Sequence, residues 1–367
     1  MQNNNPHISL AAPWIGRPVD EIPTPALLVD LPGLKSNLAK MQSEVTAQGG
    51  ALRPHIKTHK SSQLARLQIE AGAIGVTCAT LGEAEAMAAG GIQDILIANQ
   101  IVSREKLERL ASLSRVCSLK FAVDSLYGIQ IAQEVAREQG CVFEVLVEVD
   151  SGGRRCGAQP PAEAVSLTER ILECSNLKFG GIQAYYGGTS YIPDLEQRRR
   201  TVEGSDQILR AVVDAVQGVT PIPRISGAGT GNASLHLQNG VLTEIQAGSY
   251  VYSDTTYRQL APAYANTLFV LATTLSRPNA ERIVLDVGLK GLGTEFSSPE
   301  LAHYPHLKKP NFSEEHLQWL VDQEPAPQIG EKVWVIPSHC CTTVNHYRKC
   351  FVIQERQVVD VWEIDAF

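Results

Sequence analysis

The octet Arg53-Pro54-His55-Ile56-Lys57-Thr58-His59-Lys60 puts two lysines, two histidines and an arginine within eight residues. A lysine amine can condense with a carbonyl and imidazoles can move protons, so the octet offers Schiff-base and acid–base chemistry. It reads as the end of a strand running from Ala51 to Lys57. On extended backbone Arg53, His55, Lys57 and His59 share one face, while Leu52, Pro54 and Ile56 share the other. That alternation selects Lys57 over Lys60, which falls on the opposite face or begins the next helix. Taken alone, the octet also reads as a basic, solvated turn.

Three further groups carry chemical side chains. Ser226-Gly227-Ala228-Gly229-Thr230-Gly231 and Ala247-Gly248-Ser249-Tyr250 combine glycines, which let backbone N–H groups approach an anion, with hydroxyl donors. Either stretch alone could be a tight turn. Glu148 and Asp150 precede Gly152-Gly153-Arg154-Arg155-Cys156-Gly157, and Tyr185 and Tyr186 close another apolar run. These residues suit the wall of a cofactor site, or else a solvated loop and core aromatics. In Pro337-Ser338-His339-Cys340-Cys341, an extended backbone would put His339 and Cys341 on one side as imidazole and thiolate donors. Zinc is the default ion for such a pair, and two protein ligands leave coordination positions open. A buried thiol beside an unrelated histidine is the plainer alternative. Glu314, Glu315 and His316 could add an outer ligand or a base.

The elements around these residues alternate short apolar runs with amphipathic helical patterns. Eight strand candidates span 51–57, 75–80, 94–100, 118–124, 142–150, 179–186, 223–228 and 244–252. Helical patterns lie between most of them, including 82–90, 104–114, 162–173 and 195–216. Eight such units predict an α/β fold, a closed (β/α)8 TIM-type barrel, with working residues where the strands end. Beyond about residue 265 the rhythm changes to strands without long helices, predicting a smaller β-rich domain, with an irregular stretch over 297–328. The expected organisation is an arm over 1–25 packing with the β-domain, a barrel over 26–262 and the β-rich domain over 263–367. A lysine at the first strand's mouth and a glycine-rich anion site after the seventh strand suggest a phosphorylated, Schiff-base-forming cofactor, pyridoxal phosphate.

Composition limits the partners. The 367 residues are 44% hydrophobic and 19% charged with a net charge of −7, and no long run of one sign occurs. Neither nucleic acid nor a membrane is expected, and a small molecule is. No apolar run reaches the length of a bilayer span. The eight cysteines are scattered through apolar stretches and no signal sequence is evident, so a reducing, cytoplasmic setting is expected.

Together, the Arg53–Lys60 octet, Thr80-Leu81-Gly82-Glu83-Ala84-Glu85, Glu148-Val149-Asp150, Arg155-Cys156-Gly157, the Ser226–Gly231 loop, Gln246-Ala247-Gly248-Ser249-Tyr250 and His339-x-Cys341 carry a resemblance. From about residue 22 onward the chain resembles the alanine-racemase-like (fold type III) pyridoxal-phosphate enzymes of the D-serine dehydratase and D-threonine aldolase group. The resemblance implies a homodimer, Lys57 as the Schiff-base lysine, and Arg155 and Tyr185 near the cofactor ring. Thr230, Gly231, Gly248, Ser249 and Tyr250 would surround the phosphate. A divalent metal, zinc or else manganese, magnesium or cobalt, would bind His339 and Cys341, with Lys57 and His339 at the reacting centre. His-x-Cys resembles the dehydratases and His-x-Asp the aldolases, whereas Gln183-Ala184-Tyr185-Tyr186-Gly187 is closer to the aldolase pattern. The expected activity is a lyase on D-3-hydroxy amino acids. Dehydration of D-serine, D-threonine or D-threo-3-hydroxyaspartate to a keto acid plus ammonia leads. Retro-aldol cleavage to glycine plus an aldehyde is the alternative, followed by a racemase or a non-catalytic pyridoxal-phosphate-binding protein.

Overall fold

The computed structural model describes residues 13–159, 161–308 and 310–366. The chain divides into two compact units, one spanning Leu38–Tyr250 and the other Val251–Ile364 with the described residues up to Asn37. Strand β1 (Ala26–Asp30) belongs to the second unit. The first holds β2 (Ala51–Leu52), β3 (Val76–Cys78), β4 (Asp94–Gln100), β5 (Ser118–Val123), β6 (Phe143–Val149), β7 (Leu177–Ala184), β8 (Ile225–Gly227) and β9 (Glu244–Ile245).

These eight strands form one parallel sheet in the order β2-β9-β8-β7-β6-β5-β4-β3. The ring closes between β2 and β3, where the Thr77 N–H donates to the Pro54 carbonyl at 2.8 Å and His55 bridges Thr77 in parallel. The predicted (β/α)8 barrel is therefore present. Its strands carry runs such as Ile95-Leu96-Ile97 and Val145-Leu146-Val147, buried on both faces, as a parallel sheet covered by helices requires. The covering helices include Ser62–Glu70, Leu81–Ala89, Arg104–Leu113, Leu126–Glu138, Ala162–Leu172, Leu195–Gln217 and Ala233–Asn239. Several start on side-chain caps: Thr80, Ser125 and Asp194 accept from Glu83, Gly128 and Gln197 N–H. Each cap satisfies a backbone donor that the helix itself leaves unpaired.

At the N-terminal ends of the strands the barrel interior is ionic. Buried Arg53 pairs with Asp94 and, through Nε at 3.0 Å, with Glu244. Lys120 holds Asp94 at 2.9 Å, and Arg224 pairs with Glu144. Arg53 was expected on the chemical face with Lys57. It instead lies in this layer, at the end opposite the strand mouths, where Asp94 and Glu244 neutralise a guanidinium removed from water.

The second unit is a nine-stranded sheet with β10 (Leu268–Asn279), β11 (Arg282–Leu285), β12 (Glu300–Leu301), β13 (Asn311–Phe312), β14 (Leu317–Leu320), β15 (Lys332–Ile336), β16 (Lys349–Gln354) and β17 (Gln357–Glu363). Its main path is β13-β14-β11-β10-β1-β16-β17, with β15 pairing β10 and β12. Strand β1, expected within a barrel segment starting at residue 26, runs antiparallel to β10 and parallel to β16. Its run Ala26-Leu27-Leu28-Val29 is buried throughout, as suits a central strand in either sheet. Residues 251–262, also expected in the barrel, fall in this unit. Of the arm expected over 1–25, residues 1–12 lie outside the described residues. Further along, Gly16 and Val19 N–H donate to the Val358 and Arg356 carbonyls. The irregular stretch contains β12, β13 and β14, and the alternation of buried Leu317 and Trp319 would have indicated the last of them.

Candidate active site

Within the barrel unit, a cavity of about 290 Å³ is lined by His55, Lys57, Ala79, Ala98, Asn99, Arg155, Cys156, Gln183, Tyr185 and Gln246. Lys57 reaches it by a different route from the predicted strand. Backbone pairing continues only to His55, whose N–H donates to the Ala247 carbonyl at 3.1 Å. Ile56–Thr58 is then a 3-10 turn, with the His55 side chain accepting from the Lys57 N–H. Alternation therefore stops before Lys57, and the turn determines its direction. Lys57 Nζ lies 5.6 Å from the centre of the Tyr185 ring, and the Arg155 guanidinium lies 5.4 Å from the same ring. The aromatic ring thus faces both cations.

His55 is buried, and burial, followed by the nearby charges of Lys57 and His59, lowers its pKa well below the usual imidazole value. A neutral ring is the one able to accept the Lys57 N–H. His59 was expected on the same face but is directed elsewhere. Its Nε2 pairs with Gln68 Oε1 at 3.1 Å, Nδ1 accepts from Ser61 N–H, and Gln68 Nε2 donates to the Tyr250 hydroxyl. This chain requires His59 as the Nε2-protonated tautomer.

Beneath the cavity, Gln246 Nε2 donates to Gln183 Oε1 and Ser226 Oγ, and Ser226 donates to Glu244. Glu148 accepts from Gln100 at 2.7 Å and lies 3.7 Å from Arg155. Burial raises the Glu148 pKa, although Arg155 pulls the other way. Asp150, by contrast, accepts from the N–H groups of Gly152 and Arg154 and so shapes the loop before Arg155. Asn99, Gln183 and Gln246 had no assigned role in the sequence, whereas Glu148 was among the residues suited to a cofactor wall. Their common signal is position, near the C-terminal ends of barrel strands or just beyond.

Thr230, Gly231, Gly248, Ser249 and Tyr250 do not line the cavity; they gather in a neighbouring cluster. Thr230 Oγ1 accepts from Tyr250 N–H at 3.0 Å. A Cβ on Gly231 would sit 2.4 Å from the Ser190 carbonyl oxygen, and one on Gly248 would sit 2.8 Å from that of His55. These glycines are required by close backbone approach. Ala228, at φ +63°, holds the loop in a conformation that L residues rarely adopt. The Ser190 hydroxyl is buried without a hydrogen-bond partner, 3.1 Å from where a Cβ on Gly229 would lie, and the Tyr185 hydroxyl is 3.5 Å from that point. An orphaned donor beside two glycines and a phenol is what an anion would satisfy. Ser190 carried no motif and was missed.

In the β-rich unit the expected extended His339-x-Cys341 is not a strand. His339 is extended at φ −143°, but Cys340–Val344 is helical. The pair nevertheless stays together, since Cys341 acts on the His339 imidazole and raises its pKa. Burial lowers the His339 pKa, but Cys341, Asp254 and Glu295 outweigh it and leave the value raised. His339 Nδ1 is buried without a hydrogen-bond partner and lies 3.6 Å from Glu295 Oε2. Cys340 is fully buried, and burial pushes its thiol pKa well up. Glu314, Glu315 and His316 are exposed, and Glu315 pairs with Lys290. Among the described residues no group of three or more His, Cys, Asp or Glu side chains converges as a metal site. Nor is any helix among them long and apolar enough to cross a membrane.

Two family models match consecutive parts of the chain. Alanine racemase, N-terminal domain, matches residues 29–256, and putative serine dehydratase domain matches 267–353. D-threonine aldolase of Arthrobacter sp is 35% identical over 360 residues, covering 96% of this chain and 94% of that protein. D-threo-3-hydroxyaspartate dehydratase of Delftia sp. (strain HT23) is 29% identical over 367 residues, covering 93% and 96%. The crystal structure of D-threonine aldolase from Filomicrobium marinum aligns with a TM-score of 0.94 at 32% identity, covering 96% of this chain and 97% of that one. Structures of the dehydratase include a His-to-Ala variant and, two positions along, a Cys-to-Ala variant in the metal-free form.

Proposed function

This chain belongs to the alanine-racemase-like pyridoxal-phosphate enzymes of the D-serine dehydratase and D-threonine aldolase group, and we propose that it is a metal-assisted lyase of D-3-hydroxy amino acids. The observation that carries the reading is the barrel cavity, where an amine, an aromatic face and a guanidinium converge beside an orphaned Ser190 hydroxyl. Those residues fit pyridoxal phosphate. Lys57 would anchor it, Tyr185 and Arg155 would flank its ring, and Thr230, Gly231, Gly248, Ser249, Tyr250 and Ser190 would hold its phosphate. Bound there, the cofactor supplies an electron sink for charge developing at the substrate's Cα. Lys57 Nζ then moves the proton at Cα, and neutral His55 keeps the Lys57 backbone in place without adding a positive charge beside that amine. Arg155 stays oriented by Glu148.

His339 and Cys341 fit a divalent ion, with zinc as the expected one, because a buried imidazole nitrogen that makes no hydrogen bond and a thiol are suitable donors. Such an ion would supply Lewis-acid polarisation of the substrate's β-hydroxyl. The leading reaction is dehydration to a keto acid and ammonia. It is favoured by Cys341, since the dehydratase variants replaced a histidine and a cysteine at the same spacing. The second reading, retro-aldol cleavage to glycine and an aldehyde, is favoured by whole-chain likeness to the two D-threonine aldolases. The reading includes a homodimer and a reducing, cytoplasmic setting, the latter supported by eight free cysteines.

Product analysis with D-serine, D-threonine and D-threo-3-hydroxyaspartate, with and without chelator, tests the assignment. Keto acid plus ammonia supports dehydration, and glycine supports cleavage. Activity indifferent to chelation rejects the metal's role. Lys57→Ala is expected to abolish both turnover and the visible absorbance of the lysine-bound cofactor; a variant retaining both rejects Lys57.

A further inference from the structure

We infer that Asp254 sorts the adjacent thiols, holding Cys340 inward so that His339 and Cys341 are left as the donor pair. This rests on the metal reading above. Asp254 is fully buried, 86 residues from Cys340 in sequence, yet its Oδ2 accepts the Cys340 N–H at 2.9 Å. Oδ1 accepts from Thr256 and Tyr257 N–H at 3.0 and 2.7 Å, which fixes the carboxylate's orientation. Ser253, just before it, is buried at φ +52°, so this backbone is held in a conformation it would not choose.

The arrangement has a direct consequence for His339. This residue occupies the N-cap position of the helix Cys340–Val344, but its side chain makes no cap hydrogen bond. Asp254 instead binds the first helical N–H, that of Cys340, and so fixes the peptide that joins His339 to Cys341, while the imidazole makes no cap bond. Its Nδ1 remains without a hydrogen-bond partner. Cys340 is fully buried while Cys341 is half-buried. Of two neighbouring cysteines, the one whose peptide Asp254 holds is the fully buried one. Asp254 is therefore a positioning residue for the metal donors, acting through the Cys340 peptide.

The test strips divalent ions from the full-length protein and titrates zinc against a chromophoric chelator, with X-ray absorption counting zinc–sulfur contacts. Wild type and Cys340→Ser are expected to bind zinc with equal affinity and one sulfur contact, and Cys341→Ala to lose that contact. Asp254→Ala, with its fold checked by melting, should bind about 10–100-fold more weakly, the usual effect of removing an outer-shell partner. Asp254→Asn keeps one acceptor oxygen, should weaken binding by about tenfold, and carries the test if the alanine variant does not fold. A purely structural role would lower the melting temperature and leave zinc affinity unchanged. Wild-type affinity in folded Asp254 variants, or loss of the sulfur contact in Cys340→Ser, overturns the inference alone. A wild-type protein that binds no zinc overturns the metal reading and the inference with it.

Discussion

Replacing Arg53 by leucine should unfold the barrel more readily without altering the chemistry of the molecules that stay folded. Arg53 and Glu244 side chains are each 3% exposed, with Nε and Oε1 3.0 Å apart. At an effective dielectric of 20 this pair attracts by about 5.5 kcal/mol before desolvation is counted. Removing one partner of a buried pair costs about 3–5 kcal/mol, because the other charge stays buried. Here Glu244 keeps a hydrogen bond from Ser226 at 2.7 Å and Arg224 at 3.9 Å, and Asp94 keeps Lys120. Those remaining partners place the expected loss near the lower end, about 3 kcal/mol. For a unit of this size that lowers the thermal midpoint by roughly 6–12 °C. The assay is thermal unfolding followed by circular dichroism, with initial rates normalised to folded protein. Adding Glu244→Gln should cost less than the sum of the two single changes, by about 1 kcal/mol or more, since it removes the stranded charge. A midpoint within about 2 °C of wild type, combined with collapsed activity, would refute the reasoning and return Arg53 to the chemical face.

Ser190→Ala should act in opposite directions with and without cofactor. Without cofactor, removing an unpartnered buried hydroxyl leaves the midpoint unchanged or higher. The same change should weaken pyridoxal phosphate binding by about 10–100-fold, the equivalent of one hydrogen bond to a charged group. Equal affinity in a fluorescence titration would remove Ser190 from the phosphate site. A second test uses acid. Burial tends to raise the pKa of Asp94, but Arg53 and Lys120 outweigh it and leave the value below 3.8. A folded-state value below the unfolded one gives stability that is present above the ordinary pKa and lost as pH falls through the folded value. The midpoint difference between wild type and Asp94→Asn should therefore shrink from about pH 5 to pH 3. A difference that stays constant across that window would count against the ion pair.

Much of the architecture was legible because it depends on local periodicity. Continuous apolar runs alternating with three-and-four patterns indicate parallel strands beneath helices, and their number indicates closure. Lys57 lines the cavity, but the alternation used to choose it ends at His55. A two-residue strand followed by a 3-10 turn looks the same in sequence as a seven-residue strand. The barrel boundary at residue 26 differs from the observed division for a related reason. Four consecutive buried apolar residues suit the centre of any sheet, and only pairing with β10 and β16 decides which one.

The site divides along the same line. Residue types established by themselves which chemistry was available: a lysine for a carbonyl, glycines and hydroxyls for an anion, imidazole and thiolate for a soft ion. Local periodicity supplied the barrel and the β-rich unit. Which side chains act together depends on contacts between distant residues, such as Asp254 with Cys340, Ser190 with the Gly229–Gly231 loop, and Arg53 with Glu244. These are set by where buried polar groups find partners, a property of the whole packed chain that no stretch of sequence contains.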